Sequence, residues 1–176
     1  MSASGDATHP QPDDAAGRAH ADRIAQLLDL EPLTHEGGRF RRTLADGHGT
    51  AIYYLLADDD ASALHRLAST EVWHHYAGAP VRLLTLHPDG TAEEQRLGDD
   101  LLTGERPQII VPVGVWQGAV SLGAYSLVGT TMAPPYTQEG FELGDPAELA
   151  RRYPDAAELI ALITERSGHL FGDPPS

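Results

Sequence analysis

The 176-residue chain has no cysteine and no lysine. The first absence removes thiolate nucleophiles, zinc–thiolate sites and disulfides together, and the second removes lysine Schiff bases and lysine general bases. His, Asp, Glu, Tyr and Gln remain as the chemical inventory. Basic charge is also scarce: twelve arginines face 26 acidic residues, a formal net charge of −14. Nucleic acid and anionic membrane both demand a basic footprint, so neither is expected as a partner. No apolar run approaches the roughly 20 residues that cross a bilayer. The first residues carry neither the basic start nor the apolar stretch of a secretory signal. A cytoplasmic protein that works on small molecules is the expectation.

What is present fits one domain with a barrel-sized core. Residues 1–13, rich in Ser, Asp and Pro, read as a disordered leader, residues 14–166 as the domain and 167–176 as a loose tail. Ala16, Ala19, Ile24, Leu27 and Leu28 recur at helical spacing and predict an amphipathic helix over residues 14–30, packed outside the barrel. Glu36-Gly37-Gly38 is a turn, and the alternation after it is a strand. On that strand Arg39 and Arg41 share a face; turned inward they would suit a carboxylate or phosphate, turned outward they would pair with the acidic surface. The apolar strand over residues 50–57 must turn Tyr53 or Tyr54 inward, and Tyr53 is taken as ligand-binding. Asp58-Asp59-Asp60 reads as a solvated turn rather than a metal site. Further strands are expected over 81–86, 93–97, 108–111, 116–120 and 125–132, with helical runs over 146–163.

The stretch His65 to Gly78, H-R-L-A-S-T-E-V-W-H-H-Y-A-G, organises the rest. Two strands around Ala68-Ser69-Thr70, paired as a hairpin with Leu67 opposite Glu71, would bring His65, Glu71, Trp73 and His75 to one face, with His74 and Tyr76 on the other. The spacing resembles the first cupin motif, and Pro112-Val113-Gly114-Val115-Trp116-Gln117 resembles the second, with Leu67 and Gln117 standing where histidines are usual. Glu36-Gly37-Gly38-Arg39-Phe40-Arg41, residues 51–56, Leu64-His65-Arg66, Glu71-Val72-Trp73-His74 and Leu127-Val128-Gly129 follow in order the pattern of the DUF985 (Cupin 5) family. The resemblance implies a mainly β fold, a double-stranded β-helix or jelly-roll barrel with terminal α-helices outside, and a homodimer.

Within such a barrel, parity along the strands nominates His65, Glu71 and His75 as catalytic. Arg39, Arg41, Tyr53, Trp73, Gln117 and Ser121 are nominated as substrate-binding. The leading reading is metal-independent acid/base chemistry, an isomerase, epimerase or lyase acting on a small polar metabolite: His65 as base or acid, Glu71 as its partner, Gln117 donating to a substrate oxygen. One alternative is a metal-dependent enzyme in which His65, Glu71 and Gln117 hold a divalent transition metal. Another is a non-catalytic ligand-binding or storage-like cupin. The arginine-only, alanine-rich composition suggests a high-GC genome and, by association, secondary metabolism.

Overall fold

A computed structural model describes residues 14–57 and 59–170. The leader at residues 1–13 and the end of the tail, 171–176, lie outside the described residues. The chain opens with helix α1 (Asp14–Leu27) and strands β1 (Glu31–Pro32), β2 (Arg39–Ala45), β3 (Thr50–Ala57), β4 (Ala61–Leu67), β5 (Glu71–Gly78) and β6 (Val81–Leu86). It continues through β7 (Ala92–Leu97), β8 (Gln108–Val111), β9 (Trp116–Ser121), β10 (Tyr125–Met132) and β11 (Phe141–Leu143) to helices α2 (Pro146–Arg152) and α3 (Ala157–Arg166). Helix α1 stops earlier than its apolar spacing suggests, because Asp29 takes a left-handed φ of 51° and Pro32 follows two residues past Leu30. A single 3₁₀ turn, Pro154–Ala156, joins the last two helices.

Two antiparallel sheets face each other. One has the order β1-β2-β3-β10-β5-β8, the other β11-β4-β9-β6-β7. From β3 to β6 each strand lies in the other sheet from the one before it, the winding of a double-stranded β-helix. That winding corrects the expected hairpin: β4 and β5 do not pair. His65 on β4 lies opposite Gln117 on β9, whereas Glu71 on β5 lies between Met132 of β10 and Val111 of β8. Ala68-Ser69-Thr70 is a crossover between sheets. The site residues therefore meet across the barrel interior, not along a ladder.

Inward side chains of both sheets form the core, with Leu33, Tyr54, Leu56, Trp73, Leu83, Ile109, Val111, Val115, Ala119 and Val128 among its buried members. Trp73 is fully buried, and a side chain of that size dominates local packing energy. The outer face of the second sheet is covered by α2 and α3, through Leu149, Tyr153, Leu159, Ile160 and Ile163 against Leu64, Leu84, Leu86 and Val120. This is why β9 is buried on both faces and lacks the alternation of a half-solvated strand. Helix α1 lays Ala21 and Ala25 on Leu55, covering one part of the first sheet.

Candidate active site

The chain enters the site through Glu36. Leu33 accepts at its carbonyl from the backbone N–H of Gly37 at 2.7 Å, closing a tight turn, and Ala63 N–H donates to the Glu36 carbonyl at 2.9 Å. Gly37 and Gly38 have φ of 104° and 71°, values that a side chain would strain. The turn they permit aims the Glu36 carboxylate into the barrel interior, where its Oε1 accepts from the buried Ser62 Oγ at 2.6 Å. Tyr54 Oη donates to the Gly37 carbonyl at 2.8 Å, tying the turn to the core; burial pushes its phenol pKa well up, so it stays a donor.

His65 stands behind Glu36. Its Nδ1 lies 2.7 Å from the Ala63 carbonyl, which places a proton on that nitrogen and turns Nε2 toward Glu36 Oε1 at 3.9 Å. The ring stacks on Phe141 with centroids 5.2 Å apart, and only 1% of the residue is exposed. Across the barrel a chain of side-chain hydrogen bonds sets the second carboxylate. Trp73 Nε1–H donates to Gln117 Oε1 at 2.8 Å, and Gln117 Nε2 donates to Glu71 Oε2 at 2.8 Å. Because an indole can only donate, it fixes which end of the Gln117 amide faces Glu71. Burial raises the Glu71 pKa above the usual carboxylate range; the Glu36 charge adds to the rise, while His65, Thr130 and Gln117 oppose it.

Both carboxylates open onto one cavity of about 100 Å³, small beside the roughly 300–1,000 Å³ of pockets for drug-sized ligands. Leu33, Phe40, Ile52, Leu67 and Met132 form apolar walls, and His35, Arg42, Tyr136 and Gln138 stand at the mouth. Tyr136 Oη lies 3.2 Å from Gln138 Oε1 and 3.3 Å from His35 Nε2.

The structure thus brings together His65, Glu71, Trp73 and Gln117, but only Glu71 of these lines the cavity. His65, Trp73 and Gln117 are sealed behind it and act through others. The remaining nominees are elsewhere. His75 keeps the inward parity of Glu71 but lies at the opposite end of the barrel, its Nε2 3.3 Å from the Ala79 carbonyl. Ser121 is also at that end, with its Oγ 2.7 Å from Ser126 Oγ and donating to the Gly123 carbonyl. Arg39 and Arg41 face outward and pair with Asp22 and Asp29, each at 2.9 Å. Tyr53 shares their face, opposite Arg41 in register, and meets Tyr76 edge-on; Tyr54 is the inward tyrosine. The outward placement of His74 is as expected, with its Nε2 2.9 Å from Thr131 Oγ1 and burial lowering its pKa.

Sequence reasoning missed Glu36, Arg42 and Tyr136. The signal for Glu36 was present in the pair of glycines after it, since a turn that tight delivers its flanking side chain to a fixed place. For Arg42 it was Phe40: an apolar ring on the face opposite Arg39 and Arg41 marks that face as the buried one. Strand β11, which supplies Phe141 to His65, carries no pattern of its own in three residues.

The matches with known proteins agree with this architecture. The Shewanella oneidensis protein SO0799, 32% identical, superposes with a TM-score of 0.75 over 81% of this chain and 96% of its own. An uncharacterized protein of Saccharomyces cerevisiae, YML079W, is 25% identical over 57% of this chain, which spans about half the length of that relative. Oxalate decarboxylase from Bacillus subtilis, an enzyme with Mn(II) centres, shares the fold at 12% identity and a TM-score of 0.53, over 76% of this chain and 37% of its own. The donors of this chain do not fit such a metal. Leu67 offers no ligand atom, both polar atoms of the Gln117 amide are engaged by Trp73 and Glu71, and among the described residues no three His, Asp or Glu side chains converge to hold an ion. The sequence profile of the cupin superfamily (DUF985) matches residues 22–144, the span that builds both sheets and delivers Glu36, His65, Glu71 and Gln117, and the chain belongs to that family.

Proposed function

We propose that the pocket binds a small polar metabolite and moves a proton on it, as an isomerase, epimerase or lyase does. The observation that supports this most is the pair of carboxylates on one small cavity, Glu71 held by Gln117 and Glu36 held by Ser62. A carboxyl whose pKa is raised by burial holds its proton more readily than an exposed one, which suits Glu71 to the part of general acid. Glu71 is the proton donor and Glu36 the acceptor. His65, held by the Ala63 carbonyl and stacked on Phe141, packs behind Glu36 as a positioning residue, and Trp73 with Gln117 orients Glu71 by hydrogen bonds. The apolar walls keep water from the two carboxyls.

A non-catalytic binding role is the second reading. It draws on one observation: among the described residues, no buried side-chain nitrogen or oxygen lacks a partner, so the site is complete without turnover. Incubation with small hydroxy and oxo acids in D₂O, followed by proton NMR, separates the two. Deuterium entering a carbon position, lost in both Glu71→Gln and Glu36→Gln, supports proton transfer; binding without exchange supports the second reading. The setting we propose is the cytoplasm, in a chain whose described residues include no helix long and apolar enough to cross a membrane. A two-fold homodimer belongs to the same proposal, and light scattering at a mass near the 18.9 kDa monomer would overturn it.

A further inference from the structure

The cavity is polarised from base to mouth. Its base presents two carboxylates, Glu36 and Glu71, and its mouth presents Arg42. Arg39, Arg41, Arg66 and Arg82 each hold a carboxylate within 2.9 Å. Arg42, like Arg96, Arg106 and Arg166, has no carboxylate ion pair among the described residues, but of these it alone lines this cavity, its guanidinium 5.8 Å from the centre of the Tyr136 ring. Tyr136 stands beside Arg42 at the mouth, where burial and the Glu36 charge raise its phenol pKa and the Arg42 charge opposes them. The register fixes the separation. Arg42 lies opposite Ile52, Ile52 opposite Thr130 and Thr130 opposite Trp73, and Glu71 stands two residues before Trp73 on the same strand. Three strand spacings put the backbones of β2 and β5 about 14 Å apart along the sheet, and the side chains of Arg42 and Glu71 reach toward the cavity from both.

We propose that the ligand is a short-chain carboxylate with a hydroxyl or amino group at its other end, its carboxylate at Arg42 and its donor group down at Glu71 and Glu36. This rests on the proposed acid/base site and names its substrate class. The guanidinium suits a carboxylate in two-point geometry, the Glu36 carboxylate at the base takes only a donor and the Glu71 carboxyl beside it can accept from the same group, and four or five carbons lie against Phe40, Ile52, Leu67 and Met132 between them. A diol lacks the anion for the mouth, and a simple fatty acid lacks the donor for the base.

Calorimetric titration of the full chain at pH 7 with 4-hydroxybutyrate, butyrate and 1,4-butanediol tests it. The hydroxy acid should bind at least about 10-fold tighter than either other compound. Arg42→Gln should erase its advantage over the diol, and Glu71→Gln its advantage over butyrate. Arg42 is exposed, so its variant should melt with the wild type, and the melt is recorded beside each titration. If Arg42→Gln leaves hydroxy-acid affinity unchanged while Glu71→Gln weakens it, the assigned polarity is overturned and the acid/base site stands. If neither variant changes affinity, both are overturned. Failure of 4-hydroxybutyrate to bind by 10 mM also overturns the ligand class, while leaving deuterium exchange on other compounds as the separate test of the site.

Discussion

The two ends of the barrel are lined by the same strands and differ in how their polar groups are spent. Strand β5 gives Glu71 to one end and His75 to the other, β9 gives Gln117 and Ser121, and β10 gives Thr130 and Ser126. At the closed end the polar side chains end on backbone: Ser121 and Ser126 meet at 2.7 Å, and beyond that contact Ser126 Oγ donates to the Ala79 carbonyl at 2.7 Å, His75 approaches the same oxygen, and Ser121 donates to the Gly123 carbonyl. They tie down turns. At the open end side chains bond side chains, Trp73 to Gln117 to Glu71 and Ser62 to Glu36, and carboxylate surface is left facing the cavity. Polar and inward are therefore not enough to mark a site. The distinguishing feature is a hydrogen-bond chain that ends on a group with capacity to spare.

The largest effect expected from this contrast is on ligand binding and turnover. Glu71→Ala and Glu36→Ala should each lower proton-exchange activity by about 100-fold or more, while His75→Phe and Ser121→Ala should stay within about twofold of the wild type. Exchange rates measured by NMR across the four variants check it. Equal losses at both ends would mean that the closed end communicates with a ligand.

Next comes the chain that holds Glu71. Trp73→Phe keeps most of the ring but removes the indole N–H, leaving Gln117 Oε1 buried without its donor. The expected cost is about 1–3 kcal/mol in urea unfolding, with an activity loss of about 10-fold because the amide is freed to rotate. A variant that is destabilised but fully active would show that Gln117 orientation does not govern Glu71.

The pH dependence of stability sharpens the comparison further. Glu71 has a folded-state pKa raised above its unfolded value, so between the two values the folded state binds more protons than the unfolded chain. Stability from this group is therefore greatest at low pH and is lost as pH rises through the raised folded pKa. Glu71→Gln, which keeps a carbonyl to accept from Gln117, should flatten that part of the profile and raise the melting temperature at neutral pH. His75→Phe should leave the slope unchanged. A steeper fall in the Glu71→Gln variant would place the titrating group elsewhere.

Much of the fold was legible because strand alternation and turn residues are local. Strands β3, β6, β8 and β10 fall where period and breakers put them, and parity correctly sent His74 out and Glu71 in. Partnership of strands was not legible. The short Ala68-Ser69-Thr70 link looks like a hairpin, and nothing within it says that β5 pairs with a strand some 55 residues later. Position along the barrel axis was equally hidden: Glu71 and His75 share a face, yet four residues of strand separate them by about 13 Å, enough to put one in the cavity and the other at the floor. The loss of Arg39 and Arg41 from the site has the same origin as the gain of Arg42, a one-residue choice of face on β2.

That choice yields the smallest expected effect and tests the register directly. Arg39 and Arg41 pair in register with Leu55 and Tyr53, and both bridge outward to carboxylates on and just after α1. Arg41 is half exposed and Asp29 largely so, and water and salt screen such pairs to within about 1 kcal/mol. Arg39→Ala and Arg41→Ala should each shift unfolding by less than about 1 kcal/mol, and the shift should shrink in high salt. Neither should alter hydroxy-acid affinity by more than about twofold, since their guanidiniums and the cavity lie on opposite faces of one strand. Should Arg41→Ala abolish binding while Arg42→Gln is silent, β2 would present its other face to the barrel, Phe40 would be solvated, and the mouth of the cavity would have to be rebuilt around the pair now assigned to the outside.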